Sequence, residues 1–140
     1  VITGLLSFSI EARTLSLLCE GNLSYGKKTQ EDAFVEVFIA DVFRPASYQG
    51  DSYIIFPNYD GFNATGQNWQ NRLVKASFSE YSASKDKFVI NLNYILAQTN
   101  IEIQRTTGKI SIFGRRNAIS GQSEWLYNGV CEKVGEENKF

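Results

Sequence analysis

Residues 14 to 25 alternate between apolar and polar side chains. Side chains of a β-strand point alternately to its two faces, so this pattern predicts a strand with one buried face. The apolar or small residues that would share the buried face are Leu15, Leu17, Cys19, Gly21, Leu23 and Tyr25. Cys19 is therefore expected to point into the core.

Similar runs continue to the end of the chain. Alternation, or enrichment in β-branched and aromatic residues, predicts further strands over residues 32–42, 51–56, 72–80, 86–94, 100–106, 109–114 and 124–134. Pro57 ends the third run, and residues 57–71 are expected to form a long loop. Thr107 and Gly108 form a short turn between two alternating runs, which predicts a hairpin. In one run, Asn91 and Asn93 lie opposite the apolar face.

About eight strands without a helical period indicate an all-β fold. We predict an antiparallel meander barrel of about eight strands, with a β-sandwich as the alternative. In an up-and-down barrel the first and last strands are neighbours, so inward-facing cysteines on them can meet. A sandwich needs a particular topology to bring them together.

The two cysteines, Cys19 and Cys131, are 112 positions apart and are the only ones in the chain. Both fall on the predicted inward face of a strand, and each has a glycine two residues away, Gly21 and Gly129, which leaves room for a bridge. This arrangement predicts a disulfide between the first and last strands, and hence an oxidising compartment. The alternative is two buried free thiols in a cytosolic protein.

The 140-residue length suits a single domain, which we place at residues 13–134. Residues 1–12 contain a short apolar run and end with Ala12, two positions after Ile10, which is typical of a signal-peptide remnant; a flexible extension and an ordinary first strand are the alternatives. Residues 135–140 are expected to be a frayed tail. No segment is predicted to cross a membrane as a helix.

Composition excludes several kinds of chemistry. The chain has no His, which rules out Ser/His/Asp and Cys/His relays and the common zinc sites. Its 14 Lys and Arg nearly balance its 15 Asp and Glu, so the positive field that nucleic acids usually require is missing. We therefore expect no nucleic-acid partner and no cofactor.

Short elements near both ends carry a resemblance. They are the Cys19-Glu20-Gly21 triplet, the Arg105-Thr106-Thr107-Gly108 turn and the closing run from Tyr127 to Lys133. Together they resemble small exported bacterial proteins of unknown function that have a C-E/S-G element, an R-x-T-G turn and a Y-x-G-x-C-x-K ending. The resemblance implies an exported location and a fold fixed by cysteine and glycine, and it implies no activity.

The region of Cys19 is also similar to the start of C-type lysozyme inhibitors of the bacterial periplasm, which have an early cysteine followed by an acidic residue and glycine. This sequence lacks their S-G-x-x-Y loop. The similarity adds one alternative function, that of a periplasmic inhibitor of a hydrolase.

The segment from Phe43 to Trp69 combines aromatic rings, including Phe56 and Phe62, with amides and carboxylates. Rings stack on apolar faces while amides bond hydroxyls, as in sugar or peptide recognition. The alternative is that the rings cap the barrel mouth. The predicted binding residues are Tyr48, Tyr53, Tyr59, Asp60 and Trp69. A calcium loop is not expected near Asp60, because the D-x-[DN]-x-[DN]-G pattern with its distal Glu is absent.

Carboxylate pairs such as Asp41 with Asp51, or Asp60 with Glu80, could in principle act as acid and base. Nothing in the sequence fixes their separation, so no catalytic residue and no metal site are predicted. We expect a non-enzymatic binding or interaction module of the cell envelope, exported to the periplasm or the cell exterior, whose partner is a small molecule, a glycan or a protein. The alternative enzyme is a small carboxylate-dependent hydrolase.

Overall fold

The structure is a computed structural model that describes residues 14–42, 51–59, 62, 64–65, 72–94, 97–118 and 121–134. Among these residues there is no helix, and strands account for most of the backbone. The all-β prediction is confirmed. The predicted signal remnant at 1–12 and the frayed tail at 135–140 lie outside the described residues.

Nine strands run through the described part of the chain. They are β1 Leu15–Tyr25, β2 Lys28–Ile39, β3 Tyr53–Pro57, β4 Leu73–Ser77, β5 Glu80–Ala83, β6 Lys87–Asn93, β7 Ala97–Gln104, β8 Lys109–Ala118 and β9 Gly121–Lys133. The sequence pattern did not separate β5, which has four residues and a single buried side chain, Tyr81. Alternation over so short a stretch is too weak to identify a strand.

All nine strands belong to one antiparallel sheet, in the order β4-β3-β2-β1-β9-β8-β7-β6-β5. The chain passes outward from β1 to β4 and then returns from β5 to β9, so neighbours in sequence are neighbours in the sheet except at β4 and β5. The sheet curls into a half-barrel. The predicted antiparallel meander with a barrel-like shape is confirmed. The alternative of a β-sandwich, which needs two packed sheets, is wrong.

The two edge strands are consecutive in the chain. Only Phe78 and Ser79 separate β4 from β5. The Phe78 N–H donates to the carbonyl oxygen of Ser52 beside β3 (3.3 Å), and the Ser79 N–H donates to that of Asn91 on β6 (2.9 Å). Because only two residues connect the two edge strands, the sheet has to curl until β4 and β5 lie close together.

β1 and β9 pair in antiparallel register from Leu17 opposite Lys133 to Tyr25 opposite Trp125. Cys19 lies directly opposite Cys131, with their Cα atoms 3.9 Å apart, and the two form a disulfide. Both cysteines are buried. The predicted disulfide between the first and last strands is confirmed.

Gly21 and Gly129 are also directly opposite each other in the β1–β9 pair. Each lies two residues from a cysteine, at the next position that faces inward. A Cβ on Gly21 would overlap the Asn128 carbonyl oxygen and the Gly129 Cα, and one on Gly129 would crowd the Glu20 carbonyl oxygen. The glycines are therefore required by the close approach of the two backbones. The sequence had suggested a different reason, room for the disulfide.

The inward face of the sheet forms the core. Its largest fully buried side chains are Tyr127, Phe56, Phe88, Leu17, Leu23, Ile39, Ile54, Ile90, Leu92, Ile101, Ile103 and Ile110. Two buried tyrosines bond across it. Tyr127 on β9 donates to the carbonyl oxygen of Ala33 on β2 (2.7 Å), and Tyr81 on β5 donates to that of Val42 after β2 (2.8 Å).

Burial raises the pKa of the Tyr127 hydroxyl above its ordinary value of 10, and the negative charge of Glu20 raises it further. Burial likewise raises the pKa of Tyr81, an effect that Asp41 reinforces and Arg105 opposes. Both hydroxyls are thus held neutral in the folded protein, which keeps the donors of these two hydrogen bonds intact.

Reduction of the disulfide should lower the melting temperature strongly. On the chain-entropy model, a bridge that closes a loop of this length stabilises the folded state by about 4 to 5 kcal/mol. The measurement is thermal unfolding with and without reductant, with a Cys19→Ser/Cys131→Ser variant as the control, since reductant should leave its melting temperature unchanged. Equal melting temperatures for the oxidised and reduced wild type would contradict the prediction.

Tyr127→Phe should lower the free energy of unfolding by about 1 kcal/mol at neutral pH, because the Ala33 carbonyl loses its donor. In the wild type, a pKa raised in the folded state gives stability that is fully present below pH 10 and is lost as pH rises toward the folded pKa. The variant should therefore lose less stability above pH 10. Urea unfolding from pH 7 to pH 11 measures this, with Tyr53→Phe on the outer face as the control; identical pH profiles for wild type and Tyr127→Phe would be evidence against it.

Candidate functional site

Tyr53, one of the predicted binding residues, lies half-buried on the outer face of β3. Its ring stacks on Phe38 of β2 at 5.3 Å between centroids. The Lys75 ammonium of β4 lies 4.3 Å from the centroid of the same ring. Tyr53 is therefore already engaged with its two neighbouring strands.

Tyr59 lies just beyond the other end of β3, in a turn where Tyr59 and Phe62 exchange two backbone hydrogen bonds (3.2 and 2.9 Å). Its ring is partly buried against the core. Burial raises the pKa of its hydroxyl, and the nearby Tyr25 adds to this. Tyr53 and Tyr59 flank opposite ends of a five-residue strand, so the structure does not bring them together.

The other three predicted binding residues, Tyr48, Asp60 and Trp69, lie outside the described residues. The segment between β2 and β3 contains Tyr48, whereas the segment between β3 and β4 contains Asp60 and Trp69. These two connections join opposite ends of β3. Binding by the five residues stays a prediction.

Two rings of the aromatic segment, Phe56 and Phe62, belong to the core. Both pack edge-on against Trp125, with centroid distances of 5.6 and 5.0 Å. The Trp125 indole covers Gly114 on the adjacent strand, where a Cβ would overlap the ring. These two rings are therefore core residues and do not form part of an exposed recognition surface.

A different group of polar side chains forms a groove on the outer face of β5 to β8. The groove has a volume of about 390 Å³. It is lined by Glu80, Asn91, Asn93, Gln98, Thr99, Asn100, Phe113 and Arg115. We refer to it as the amide groove, because four of its eight lining residues carry side-chain amides.

Strand register assembles the amide groove. One row across four strands runs from Glu80 to Asn91, Asn100 and Phe113, each directly opposite the next. A second row places Gln98 between Asn93 and Arg115. Directly opposed residues in an antiparallel pair have Cβ atoms about 5 Å apart, so side chains of one row touch.

Hydrogen bonds orient these side chains. The Asn100 Nδ2 donates to Asn91 Oδ1 (2.8 Å), and the Asn93 Nδ2 donates to Glu80 Oε1 (3.1 Å). Each amide group has two donor hydrogens and an acceptor oxygen, so each bond uses only part of its capacity. The remaining donors and acceptors are available to a ligand that offers both kinds of group.

Phe113 supplies the aromatic surface of the groove. It is 39% exposed, although it lies in the interior of a strand flanked on both sides. The Arg115 guanidinium carbon lies 6.0 Å from its ring centroid, and Arg115 also pairs with Glu124 at 3.4 Å. An exposed ring beside fixed amides can stack on the C–H face of a sugar while the amides bond its hydroxyls.

Part of this groove could be anticipated from the alternation of apolar and polar residues. Alternation correctly placed Asn91 and Asn93 on the outward face of their strand, but it did not indicate that Gln98, Asn100 and Phe113 would line up beside them. That alignment depends on the register of three hairpins, which the pattern of a single strand does not contain.

Other kinds of site find little support in the described part of the chain. No group of three or more His, Cys, Asp or Glu side chains there could hold a metal ion. No helix among the described residues is long and apolar enough to cross a membrane. Of the carboxylate pair Asp60 and Glu80, Glu80 lies in the amide groove, whereas Asp60 is outside the described residues.

No protein-family model, curated protein or solved structure matches this chain.

Proposed function

We propose that this protein is a non-enzymatic binding module of the cell envelope that binds a hydroxyl-rich glycan in the amide groove. The observation that carries the proposal is the row of Asn91, Asn100 and Phe113 across three adjacent strands. Sugar hydroxyls donate and accept hydrogen bonds, as amides do, and the ring offers an apolar surface for stacking. The sequence left a small molecule, a glycan or a protein as the partner. For the amide groove, we propose the glycan.

The residues that line the groove are suited to binding a ligand without catalysing a reaction. Its lining contains one carboxylate, Glu80, which accepts a hydrogen bond from Asn93. Glycoside hydrolysis in its usual forms needs two carboxylates that flank the scissile bond. The contents of the groove thus favour binding over the carboxylate-dependent hydrolase, which remains the alternative in the test below.

The proposed location follows from the disulfide. Disulfides persist in oxidising compartments and are rare in the cytosol. The buried Cys19–Cys131 bridge therefore supports an exported protein, in the periplasm or outside the cell.

The inhibitor alternative rests on the Cys19-Glu20-Gly21 triplet. Cys19 is used in the disulfide, and Gly21 is required by the close approach of β1 to β9. Two of the three residues in the triplet thus have structural roles that need no partner enzyme. We favour glycan binding because the groove offers unused hydrogen-bonding groups, whereas this triplet offers one exposed side chain, Glu20.

Titration of the ¹⁵N-labelled protein with neutral oligosaccharides and peptidoglycan fragments should shift the resonances of Asn91, Asn100 and Phe113. Phe113→Ala should weaken binding about tenfold, since stacking on an aromatic ring contributes about 0.5 to 1.5 kcal/mol beyond area burial. Asn100→Ala should weaken it as well, by removing a donor and an acceptor. The matched controls are Phe34→Ala and Asn128→Ala, an exposed phenylalanine and an exposed asparagine elsewhere on the outer face.

Equal weakening by Phe113→Ala and Phe34→Ala would overturn the groove as the binding site, as would shifts confined to residues near Tyr59. Release of shorter sugars by the wild type, abolished by Glu80→Gln, would replace the binding module with the hydrolase alternative.

A further inference from the structure

A second surface occupies the outer face of three adjacent strands, β2, β1 and β9. Outward side chains there alternate between apolar and acidic, both along each strand and across the strands. We call this surface the checkerboard face. It consists of Phe34 and Glu36 on β2, Leu18 and Glu20 on β1, and Val130 and Glu132 on β9.

The register sets this alternation. Glu20 lies directly opposite Phe34 on one side and Val130 on the other. Leu18, two residues earlier on β1, lies opposite Glu36 and Glu132. Leu18 thus lies between two carboxylates, Phe34 lies opposite one, and Val130 lies between Glu20 and Lys109 of β8.

The apolar members are exposed although their strands are flanked on both sides. Leu18 is 38% exposed, Phe34 50% and Val130 52%. The solvent-facing side of an antiparallel sheet is normally polar, so three exposed apolar side chains on adjacent strands distinguish this face.

In the part of the chain that the structure describes, no Lys or Arg forms an ion pair with Glu20, Glu36 or Glu132. Elsewhere on the outer face, Lys87 pairs with Glu102 at 2.9 Å across two strands. The outer face can thus hold cross-strand ion pairs, and the checkerboard face has none.

The three carboxylates reinforce one another. Glu20 is a diagonal neighbour of both Glu36 and Glu132, and diagonal neighbours across a sheet are about 7 to 8 Å apart. This separation is less than the Debye length of about 10 Å in 0.1 M salt, so their negative potentials add. Two lysines border the face: Lys109 of β8 lies opposite Val130, and Lys133 follows Glu132 on β9.

We propose that the checkerboard face docks a protein surface that presents Lys or Arg side chains between apolar ones. Such a partner would cover Leu18, Phe34 and Val130 and place its cations between the three carboxylates. The charge pattern argues against other occupants. An anionic lipid surface or a nucleic acid would be repelled, and a second copy docked face to face would place carboxylates against carboxylates.

This docking surface is independent of the amide groove. It uses β1, β2 and β9, whereas the groove uses β5 to β8. An experiment that refutes one of the two proposed sites therefore leaves the other site unaffected. A protein with both surfaces could bind a glycan and a protein at the same time.

The probe is a synthetic nonapeptide, Lys-Thr-Leu-Thr-Lys-Thr-Leu-Thr-Lys, which when extended presents alternating Lys and Leu on one face. Titrated into ¹⁵N-labelled protein, it should shift the resonances of Leu18, Phe34 and Val130. Glu20→Gln/Glu132→Gln should weaken its binding about tenfold, since charge pairs at an interface contribute on this scale. The matched control is Glu102→Gln/Glu124→Gln, which removes two exposed carboxylates elsewhere and should bind as the wild type does.

Two further peptides separate charge from apolar contact. Replacing each Leu by Ser, or each Lys by Glu, should abolish the shifts at the checkerboard face. Equal binding of the Ser peptide, equal loss in both double variants, or shifts elsewhere on the protein would overturn the proposal. So would self-association of the wild type in sedimentation that Leu18→Ser abolishes, because the occupant would then be a second copy. Melting temperatures and amide spectra verify that each variant is folded.

Discussion

The pairing of β1 with β9 joins two meanders, β1 to β4 and β5 to β9, into one sheet. Each meander is built from connections between strands that follow one another in sequence, whereas this pair joins strands more than a hundred residues apart. Bringing such distant strands together costs chain entropy, and the disulfide reduces that cost by restricting the unfolded chain. The opposed glycines then let the two backbones approach closely.

Once the two meanders are joined, the positions of both outer surfaces follow. The inward face is filled by large apolar side chains and by Tyr81 and Tyr127, whose hydroxyls bond to backbone carbonyls near β2. The outer face presents the amide groove on one meander and the checkerboard face at the junction between the two. Glu20 affects both faces of the sheet, because its negative charge raises the pKa of the inward-facing Tyr127 and its side chain stands among exposed apolar residues on the outer face.

Much of the fold could be predicted from the sequence because alternation reports directly which side chains point inward. It placed Cys19 and Cys131 on the inward face, and the barrel-like topology then made their meeting a geometric consequence. The surfaces could not be predicted in the same way. Phe62 and Tyr53 look alike in a list of aromatic residues, but one packs on Trp125 and the other on Phe38, and only tertiary contacts distinguish them.

The most direct test of this account is to map the cysteines in protein taken from its own cells after its free thiols have been blocked with iodoacetamide. Tryptic digestion without reductant should yield peptide 14–27 joined to peptide 117–133 through Cys19 and Cys131. That result is predicted if β1 pairs with β9 in an oxidising compartment. Recovery of the two peptides separately, each with an alkylated cysteine, would contradict both the bridge and the exported location.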